Sequence, residues 1–480
     1  MNSLLTLSAT RLAEMIKSGE VTSREVVGAH IARIEEVNPT LNAMVRTRFD
    51  EARTEADAAD RILRQNGRDG LPTFHGVPCS IKECFALTGM PNTGGLVARK
   101  DVVSNEDATA VKRLRKAGAI PLGVTNLSEL CMWMESDNRV YGRTNNPYDP
   151  TRIVGGSSGG EGAIIGSGGT PFGLGSDIGG SIRMPAFFNG VFGHKPSGGL
   201  VPNTGQFPIS HGKARRYLTT GPLCRRAEDL WPLVKTLAGP DEIEEQCTPL
   251  PLGDPASVRI EGLNVLVVED NGRRPVSGEL KATLHRAARA LAERGAKVKE
   301  AVYPALGHAF DIWSTMLTKA GGPSFGTLLG NGRQVNTYWE VARCLAGRSE
   351  HTLPAVGLAL LEHLAPLVLG DTERWVRMGE ELKHDLTRDI GPDGVMLYPP
   401  YPSTAPRHHR PLLTPLQGVY TSIMNIMEFP VTQVPAGLSN DGLPLGLQVV
   451  SMHGNDHVTV AVAMELEKAL GGWTPPPLAI

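Results

Sequence analysis

From about residue 70 onward, the hydrophobic positions of this 480-residue chain alternate between two patterns. Continuous apolar runs of about five residues are typical of buried β-strands, whereas apolar residues that recur every three or four positions are typical of amphipathic helices. The runs predict strands over residues 77–82, 119–125, 171–176, 263–269, 296–302, 394–398, 431–434 and 445–451. The helical pattern covers residues 108–117, 279–294 and 456–470. This alternation predicts an α/β fold, with a large sheet that is flanked by helices on both faces.

Residues 1–70 are predicted to be a helical part that precedes the sheet. Ser8 is a typical N-cap residue for a short first helix. Thr22 and Glu25 have the spacing of a capping box. We expect the helix that they start to end before Pro39, because proline cannot donate a helical hydrogen bond. A further helix is predicted over the charged, Ala-rich run that follows.

A single domain is predicted over residues 1–480. The strand pattern occurs on both sides of the least regular part of the chain, residues 303–390, so both ends are expected to contribute strands to one sheet. Residues 240–390 are interpreted as a variable segment inside that domain.

Charge and hydropathy exclude several classes of function. The 48 Lys and Arg residues nearly balance the 50 Asp and Glu residues, which leaves a net charge of −2. A nucleic-acid-binding protein usually has a basic excess, so no nucleic-acid partner is expected. No run of 18 apolar residues occurs, and the nearest candidate, residues 353–369, is interrupted by prolines and charges and is interpreted as a buried helix. Without such a run, no transmembrane anchor is predicted. The first residues also lack the pattern of a signal peptide.

The cysteines and histidines predict neither a disulfide framework nor a metal site. Six cysteines lie far apart, and no C-x-x-C motif occurs. Such cysteines are typical of reduced thiols in a cytoplasmic protein. No H-E-x-x-H motif and no Cys/His cluster with zinc spacing is present, so no metal is predicted. The Walker pattern and a complete dinucleotide fingerprint are absent as well, so no nucleotide cofactor is predicted.

Residues 155–199 contain 16 glycines, interleaved with large apolar residues that a flexible linker would not carry. Such glycine density suits a backbone that approaches a ligand closely. Ser181 follows a predicted strand and a D-I-G-G turn, and we expect a helix to begin there, so that backbone N–H groups and the helix N-terminus face a developing oxyanion. Ser157 and Ser158 compete with Ser181 for the role of nucleophile, since GGSSG fits the weak G-x-S-x-G pattern.

The base that would activate such a serine has two candidates. The G-x-S-x-G interpretation requires a downstream histidine, for which His408 and His409 are the candidates. Lys82 lies at the end of an otherwise apolar predicted strand, where loss of hydration would favour the neutral amine that can accept a proton. The fragment around Lys82, taken alone, favours a surface lysine at a strand end.

Three segments together resemble the amidase signature family. They read GVPCSIKE, GGSSGG and GLGSDIGGSIRMP, and they place Lys82, Ser157 and Ser181 at separations of 75 and 24 residues. Within that family the chain is most similar to the fatty acid amide hydrolases of the type-two form, through segments such as ELCMW and YGRTNNPYD. The resemblance implies the amidase-signature fold, a large twisted mixed β-sheet with helices on both faces.

The resemblance also implies roles for individual residues. It implies that Ser181 is the acylated nucleophile, Ser157 the bridging serine and Lys82 the terminal base, with a cis peptide bond at Gly156–Ser157. The remaining implied positions are the oxyanion-hole N–H groups of Ile178, Gly179, Gly180 and Ser181, the substrate-binding positions Cys131, Met132 and Ser157, and the supporting residues Ser158, Asp177 and Arg183, of which the last two are expected to pair. Residues 240–390 are expected to shape the substrate channel.

The function expected from these features is hydrolysis of amide bonds through an acyl-enzyme, without cofactor or metal. The expected substrate is a small-molecule amide with an apolar fatty-acyl or aryl group, and carbamates and esters are expected to react by the same route. Two alternatives remain open at this point. One is a protein similar to the amidase component of a tRNA-dependent amidotransferase, which works with a partner chain, and the other is a catalytically silent binding protein of the same fold. A homodimer is implied by the family alone.

Overall fold

The computed structural model describes residues 2–368 and 370–479. Its strands are β1 (Met44–Thr47), β2 (Pro78–Lys82), β3 (Ile120–Thr125), β4 (Asp137–Asn138), β5 (Gly142–Arg143), β6 (Phe172–Asp177), β7 (Phe192–Lys195), β8 (Thr219–Cys224), β9 (Asn264–Val267), β10 (Lys297–Glu300), β11 (Val395–Tyr398), β12 (Val431–Leu438) and β13 (Pro444–Val450). All eight predicted strands are therefore present, within a few residues of their predicted bounds.

The helices lie before, between and after these strands. They are α1 (Ala9–Ser18), α2 (Ser23–Leu41), α3 (Phe49–Asn66), α4 (Thr109–Lys116), α5 (Gly159–Gly166), α6 (Arg183–Phe188), α7 (Ala214–Tyr217), α8 (Leu230–Leu237), α9 (Gly278–Glu293), α10 (Ala309–Lys319), α11 (Phe325–Leu329), α12 (Thr337–Leu345), α13 (Leu353–Val368), α14 (Thr372–Ile390), α15 (Arg410–Leu413), α16 (Val419–Ile426) and α17 (Asp456–Leu470). The three helices predicted between strands correspond to α4, α9 and α17.

Residues 1–70 contain the helices α1, α2 and α3, and also the edge strand β1. Ser8 caps α1, and Thr22 and Glu25 form the predicted capping box at the start of α2. The expected end of that helix before Pro39 is wrong, because α2 continues to Leu41. A proline this close to the C-terminus removes few helical hydrogen bonds, and Asn42 ends the helix in a left-handed conformation.

Eleven strands form one mixed sheet, in the order β1-β3-β2-β6-β8-β7-β12-β13-β11-β9-β10. β2 pairs in parallel with both β3 and β6, so the carboxyl ends of these three strands lie at the same edge of the sheet. β8, β7 and β12 continue the sheet with antiparallel pairing, and β9 returns to parallel pairing with β10 and β11. Ligand sites in α/β proteins commonly lie at such carboxyl ends.

Three strands of this sheet were missed in the sequence. β8 lies in the middle of the sheet although it contains Gly221 and Pro222, which normally argue against an internal strand. β7 is short and contains a glycine and a lysine, and β1 is a four-residue edge strand. Their propensities are weak, and their stability comes from pairing with neighbours that are distant in sequence.

Alternating residues of the strands face two helix layers, as a period of two requires. In β11, Val395 and Leu397 pack in one hydrophobic cluster with α9 and α17, whereas Met396 and Tyr398 pack in another with α14 and α16. In β2, Cys79 and Ile81 belong to the first cluster. The side chains of Ser80 and Lys82 therefore point to the opposite face of the sheet.

Residues 240–390 are not purely an insertion, since they supply β9 and β10 to the sheet. The helices α10 to α14 follow, and the predicted apolar segment 353–369 forms α13, with Leu369 outside the described residues. Leu353 and Leu361 of this helix are exposed, so the interpretation as a buried helix is wrong for its outer face. Over the described part of the chain, no helix is both long enough and apolar enough to cross a membrane.

Candidate active site

Lys82 ends β2 on the face of the sheet that carries α5. Its side chain is fully buried. Its Nζ lies 2.6 Å from Oγ of Ser157 and 3.0 Å from Oγ of Ser176, the residue before the end of the neighbouring strand β6. Two hydroxyl groups thus bind the amine, and no carboxylate among the described residues forms a salt bridge with it. Ser176 was not predicted as a site residue, although it lies inside the G-L-G-S-D segment.

Ser157 lies in the turn that leads into α5, directly after a cis Gly156–Ser157 peptide bond. Its backbone is held by the Ser136 hydroxyl, which donates to the carbonyl oxygen of Ser157 at 3.1 Å. The backbone N–H of the next residue, Ser158, donates to the carbonyl oxygen of Ser181 at 3.2 Å. The two serine-containing segments are thereby bound directly to each other.

Ser181 lies in the tight turn that follows β6, and the expected start of a helix at this residue is wrong. The helix α6 begins at Arg183, two residues later. The Asp177 carboxylate takes the N–H groups that a helix start would leave free, since it accepts from Gly180 at 2.7 Å and from Ile182 at 3.1 Å. The negative charge that faces the N-terminus of α6 is therefore the Asp177 carboxylate.

The predicted oxyanion donors divide into two groups. The N–H of Gly180 is already bound to Asp177. Over the described residues, no acceptor takes the N–H groups of Ile178, Gly179 and Ser181. Three of the four predicted N–H groups thus remain able to bind a substrate oxygen.

Asp177 and Arg183 form the expected ion pair, at 2.9 Å and fully buried. Burial alone would raise the pKa of Asp177, but the charge and hydrogen bonds of Arg183 hold that pKa well below its usual range. Asn425 adds a further hydrogen bond to the carboxylate, at 3.0 Å. The carboxylate stays ionised at neutral pH, which keeps the turn around Ser181 in one conformation.

A second buried carboxyl group lies beneath Lys82. Glu161 of α5 accepts hydrogen bonds from the hydroxyls of Ser80 and Thr125, both at 2.6 Å. Burial raises the pKa of Glu161 to about 7, against the lowering effect of these hydroxyls. Burial likewise raises the pKa of Glu83 to about 7. Neither glutamate was predicted as a site residue.

An apolar cavity of about 120 Å³ opens beside Ser181. Its lining includes two of the predicted substrate-binding residues, Cys131 and Met132, together with Ile178 and Gly179. The other lining residues are Trp133, Met134, Gly156, Ser181, Met184, Phe310, Trp313, Leu358, Pro415, Gly418, Val419 and Ser422. The carbon-rich walls favour an apolar group next to the reactive serine.

The variable segment lines part of this cavity, through Phe310, Trp313 and Leu358. The two histidines considered as alternative bases lie elsewhere. His408 contacts the carbonyl oxygen of Pro150, and the backbone of His409 contacts Glu135. In the part of the chain that the structure describes, no three His, Cys, Asp or Glu side chains converge as metal ligands.

Comparison with known proteins identifies the family of this chain. Residues 25–460 match the family model described as Amidase. The chain is 49% identical to fatty-acid amide hydrolase 2-B of Danio rerio, over 99% of this chain and 91% of that protein. It is 44% identical to fatty-acid amide hydrolase 2 of Homo sapiens, over 98% of this chain and 91% of that protein.

More distant relatives share the fold. A glutamyl-tRNA(Gln) amidotransferase component of Synechococcus sp. (strain CC9605) is 30% identical, over 97% of this chain and 96% of that protein. The solved structure of 6-aminohexanoate cyclic dimer hydrolase complexed with substrate has a TM-score of 0.80 and 27% identity, and covers 99% of this chain and 100% of that chain. The chain therefore belongs to the amidase signature family and is an amide-bond hydrolase.

Proposed function

We propose that Ser181, Ser157 and Lys82 form a Ser-Ser-Lys catalytic triad that cleaves amides through an acyl-enzyme. The observation that carries this proposal is the distance of 2.6 Å between Nζ of a fully buried Lys82 and Oγ of Ser157. The Lys82 amine is therefore placed to exchange a proton directly with the Ser157 hydroxyl.

The proposed reaction begins with a proton relay. Lys82 takes the proton of Ser157 while Ser157 takes the proton of Ser181, and Ser181 Oγ forms a bond to the carbonyl carbon. The relay then runs in reverse, so that the nitrogen of the tetrahedral intermediate is protonated as its bond to carbon breaks. The amine leaves, and water attacks the acyl-enzyme with the same relay, which releases the acid and restores all three residues.

The developing oxyanion would be stabilised by the N–H groups of Ile178, Gly179 and Ser181. These groups are free of other acceptors in the described structure and line or adjoin the cavity. Removing one such donor typically raises the activation barrier by about 3–4 kcal/mol. The proposed hole thus needs no contribution from Gly180, whose N–H is held by Asp177.

The proposed substrate is a small-molecule amide with a fatty-acyl or aryl group. The apolar cavity beside Ser181 supports this choice, because it offers carbon atoms rather than charges to the group next to the carbonyl. The two relatives named fatty-acid amide hydrolase 2 support the fatty-acyl class in particular. Carbamates and esters are proposed as further substrates, since attack on their carbonyls uses the same groups.

Labelling with a fluorophosphonate tests this proposal. We expect mass spectrometry to find the adduct on Ser181 and labelling to be lost in Ser181→Ala. Turnover of an aliphatic acyl 4-nitroanilide should be lost in the same variant and should persist in EDTA. Undiminished labelling or turnover in Ser181→Ala would contradict the proposal.

The amidotransferase alternative is weaker, since the relative of that name is 30% identical and the two hydrolases are 44% and 49% identical. It predicts glutaminase activity and a stable partner chain. Hydrolysis of acyl anilides by the purified chain alone, without release of ammonia from glutamine, is expected here. The silent binding protein of the same fold is disfavoured by the three intact triad positions.

Location and assembly are further proposals. The six cysteines are unpaired, which supports a reducing, cytoplasmic compartment. A homodimer stays a prediction from the family resemblance. Light scattering on the purified protein is expected to give the mass of two chains, and the mass of one chain would contradict it.

A further inference from the structure

The proposed oxyanion turn contains two peptide planes whose orientations are fixed differently. The plane between Gly179 and Gly180 is held at both ends, because the Thr421 hydroxyl donates to the Gly179 carbonyl oxygen at 2.7 Å and the Gly180 N–H donates to Asp177. The plane between Ile178 and Gly179 is held at one end. Its other end, the Gly179 N–H, is free to bind substrate.

The group that holds this second plane is an indole. Nε1 of Trp313 donates to the carbonyl oxygen of Ile178 at 3.0 Å. Because the carbonyl and the N–H of a trans peptide point in opposite directions, this bond also sets the direction of the Gly179 N–H. A glycine follows the carbonyl, so the intrinsic resistance to rotation of this plane is low. A rotated plane would present an oxygen, rather than a donor, to the oxyanion.

Trp313 is also part of the cavity wall. It lies on α10 with Phe310 one turn earlier, and the two ring centroids are 6.4 Å apart. Both rings line the cavity, and a Cβ placed on Gly179 would be 3.4 Å from the Trp313 ring. The same side chain therefore contacts both the expected position of the apolar substrate group and the backbone of the oxyanion turn.

We propose that Trp313 is a positioning residue that holds the Ile178–Gly179 peptide with its N–H available to the oxyanion, and that it couples packing of the apolar group to oxyanion stabilisation. This inference rests on the proposed function of Ser181. It assigns a kinetic role to a residue of the variable segment, outside the family motifs. Substrates whose apolar group packs on the indole would gain in kcat as well as in affinity.

The test is Trp313→Phe, which keeps an aromatic wall and removes the N–H donor. Outright loss of an oxyanion donor costs about 100-fold to 1,000-fold in kcat, and a donor that is only misoriented costs less. We expect kcat for an aliphatic acyl 4-nitroanilide to fall about 10-fold to 100-fold, with KM changed about twofold at most. An apolar trifluoromethyl ketone, which forms a tetrahedral adduct with a serine, should lose affinity by a similar factor.

Two further variants separate the effect of the Trp313 hydrogen bond on kcat from the effect of its apolar contact with the cavity. Trp313→His keeps a ring N–H and loses apolar area, whereas Trp313→Met is apolar and has no donor, so the histidine variant should retain the higher kcat. Trp339→Phe, at an exposed position on α12, is the matched control and should change neither kcat nor KM. Should Trp313→Phe fail to fold in thermal unfolding, the order of the histidine and methionine variants decides the question.

The proposal is overturned if Trp313→Phe raises KM and leaves kcat intact, or if the methionine variant equals the histidine variant in kcat. Ser181→Ala distinguishes this failure from failure of the proposed function. If Ser181→Ala is inactive while Trp313→Phe is as active as the unchanged protein, only the role of Trp313 is wrong. If Ser181→Ala remains active, the proposed nucleophile is wrong.

Discussion

At the scale of single residues, the site depends on charges that burial controls. Lys82 is fully buried among hydroxyl groups, whereas Asp177 is buried against a guanidinium. The guanidinium holds the pKa of Asp177 well below its usual range, so the carboxylate is ionised. In the proposed mechanism the two residues have different tasks at the same edge of the sheet, proton transfer for Lys82 and positioning of the turn for Asp177.

The Lys82 relay predicts different losses for amides and activated esters. In Lys82→Ala, kcat/KM for an acyl 4-nitroanilide should fall about 100-fold to 10,000-fold, because both attack and leaving-group protonation lose their proton carrier. The loss for the matching 4-nitrophenyl ester should be smaller, since nitrophenolate leaves without a proton. Stopped-flow or steady-state absorbance measures both. Lys100→Ala, at an exposed position, is the control, and equal losses for the two substrates would contradict the relay.

Glu161 predicts a pH dependence of stability. Its pKa in the folded protein is about 7, above the usual value of 4.5, so the folded state holds a proton that the unfolded state has released. The associated stability is present below pH 4.5 and is lost as the pH rises towards 7, by about 3 kcal/mol at most. In Glu161→Gln, the urea midpoint should fall less steeply between about pH 5 and pH 8. Glu83 and Asp229, whose pKa values burial raises to about 7 and about 6, contribute to the slope that remains.

The control for this measurement is Glu293→Gln, at an exposed position of α9. It should reproduce the pH slope of the unchanged protein. A slope in Glu161→Gln that equals the control would show that Glu161 releases its proton at the same pH in both states.

At the scale of elements, one side chain connects the turn around Ser181 to two other parts of the fold. Arg183 donates to Asp177 at the end of β6, to the Thr421 carbonyl and Asn425 in α16, and to Gln448 in β13. All these groups are buried. The turn around Ser181 is therefore positioned by a helix and a strand that lie far along the chain.

Arg183→Met is predicted to destabilise the protein strongly. It leaves the Asp177 carboxylate buried without its cation, which typically costs roughly 3–5 kcal/mol. A lower thermal midpoint and a lower kcat are expected together, since the same carboxylate orients the Gly180 N–H. Arg68→Met, at an exposed position, should leave both unchanged. A normal thermal midpoint in Arg183→Met would contradict the structural role of the pair.

At the scale of the whole molecule, the helices α12 and α13 are attached to the segment that follows β3, next to the cavity. Glu129 is buried and binds the His351 ring at 2.7 Å and the Thr352 N–H at 2.7 Å. Leu130 and Cys131, next to Glu129 in sequence, have positive φ values of 53° and 61°. The same short segment thus supplies a cavity wall and the attachment point of α13.

Loss of this attachment should loosen α12 and α13 without unfolding the sheet. In His351→Ala, limited proteolysis is expected to cut within these helices faster than in the unchanged protein, because the Glu129 carboxylate loses its ring partner. His384→Ala, at an exposed position of α14, is the control. Mass spectrometry of the fragments locates the cuts. Equal cutting rates in His351→Ala and in the unchanged protein would contradict the role of this attachment.

Local sequence alone determined β2, β3 and β6, the parallel strands at whose carboxyl ends the candidate site lies. Lys82, Ser157 and Ser181 were predicted through the resemblance of three short motifs to one family, and each motif lies within a few neighbouring residues. The capping box of α2 and the whole of α17 follow for the same reason. Their signals lie in the residues that form them.

Only the tertiary structure decided which groups meet at the site. Ser176, Glu161 and Trp313 join it through contacts with partners up to 135 residues away. The strands β1, β7 and β8 likewise depend on pairing rather than on their own propensity. Hydrogen bonds between distant segments leave no periodicity in the sequence, so the packed fold is what determines them.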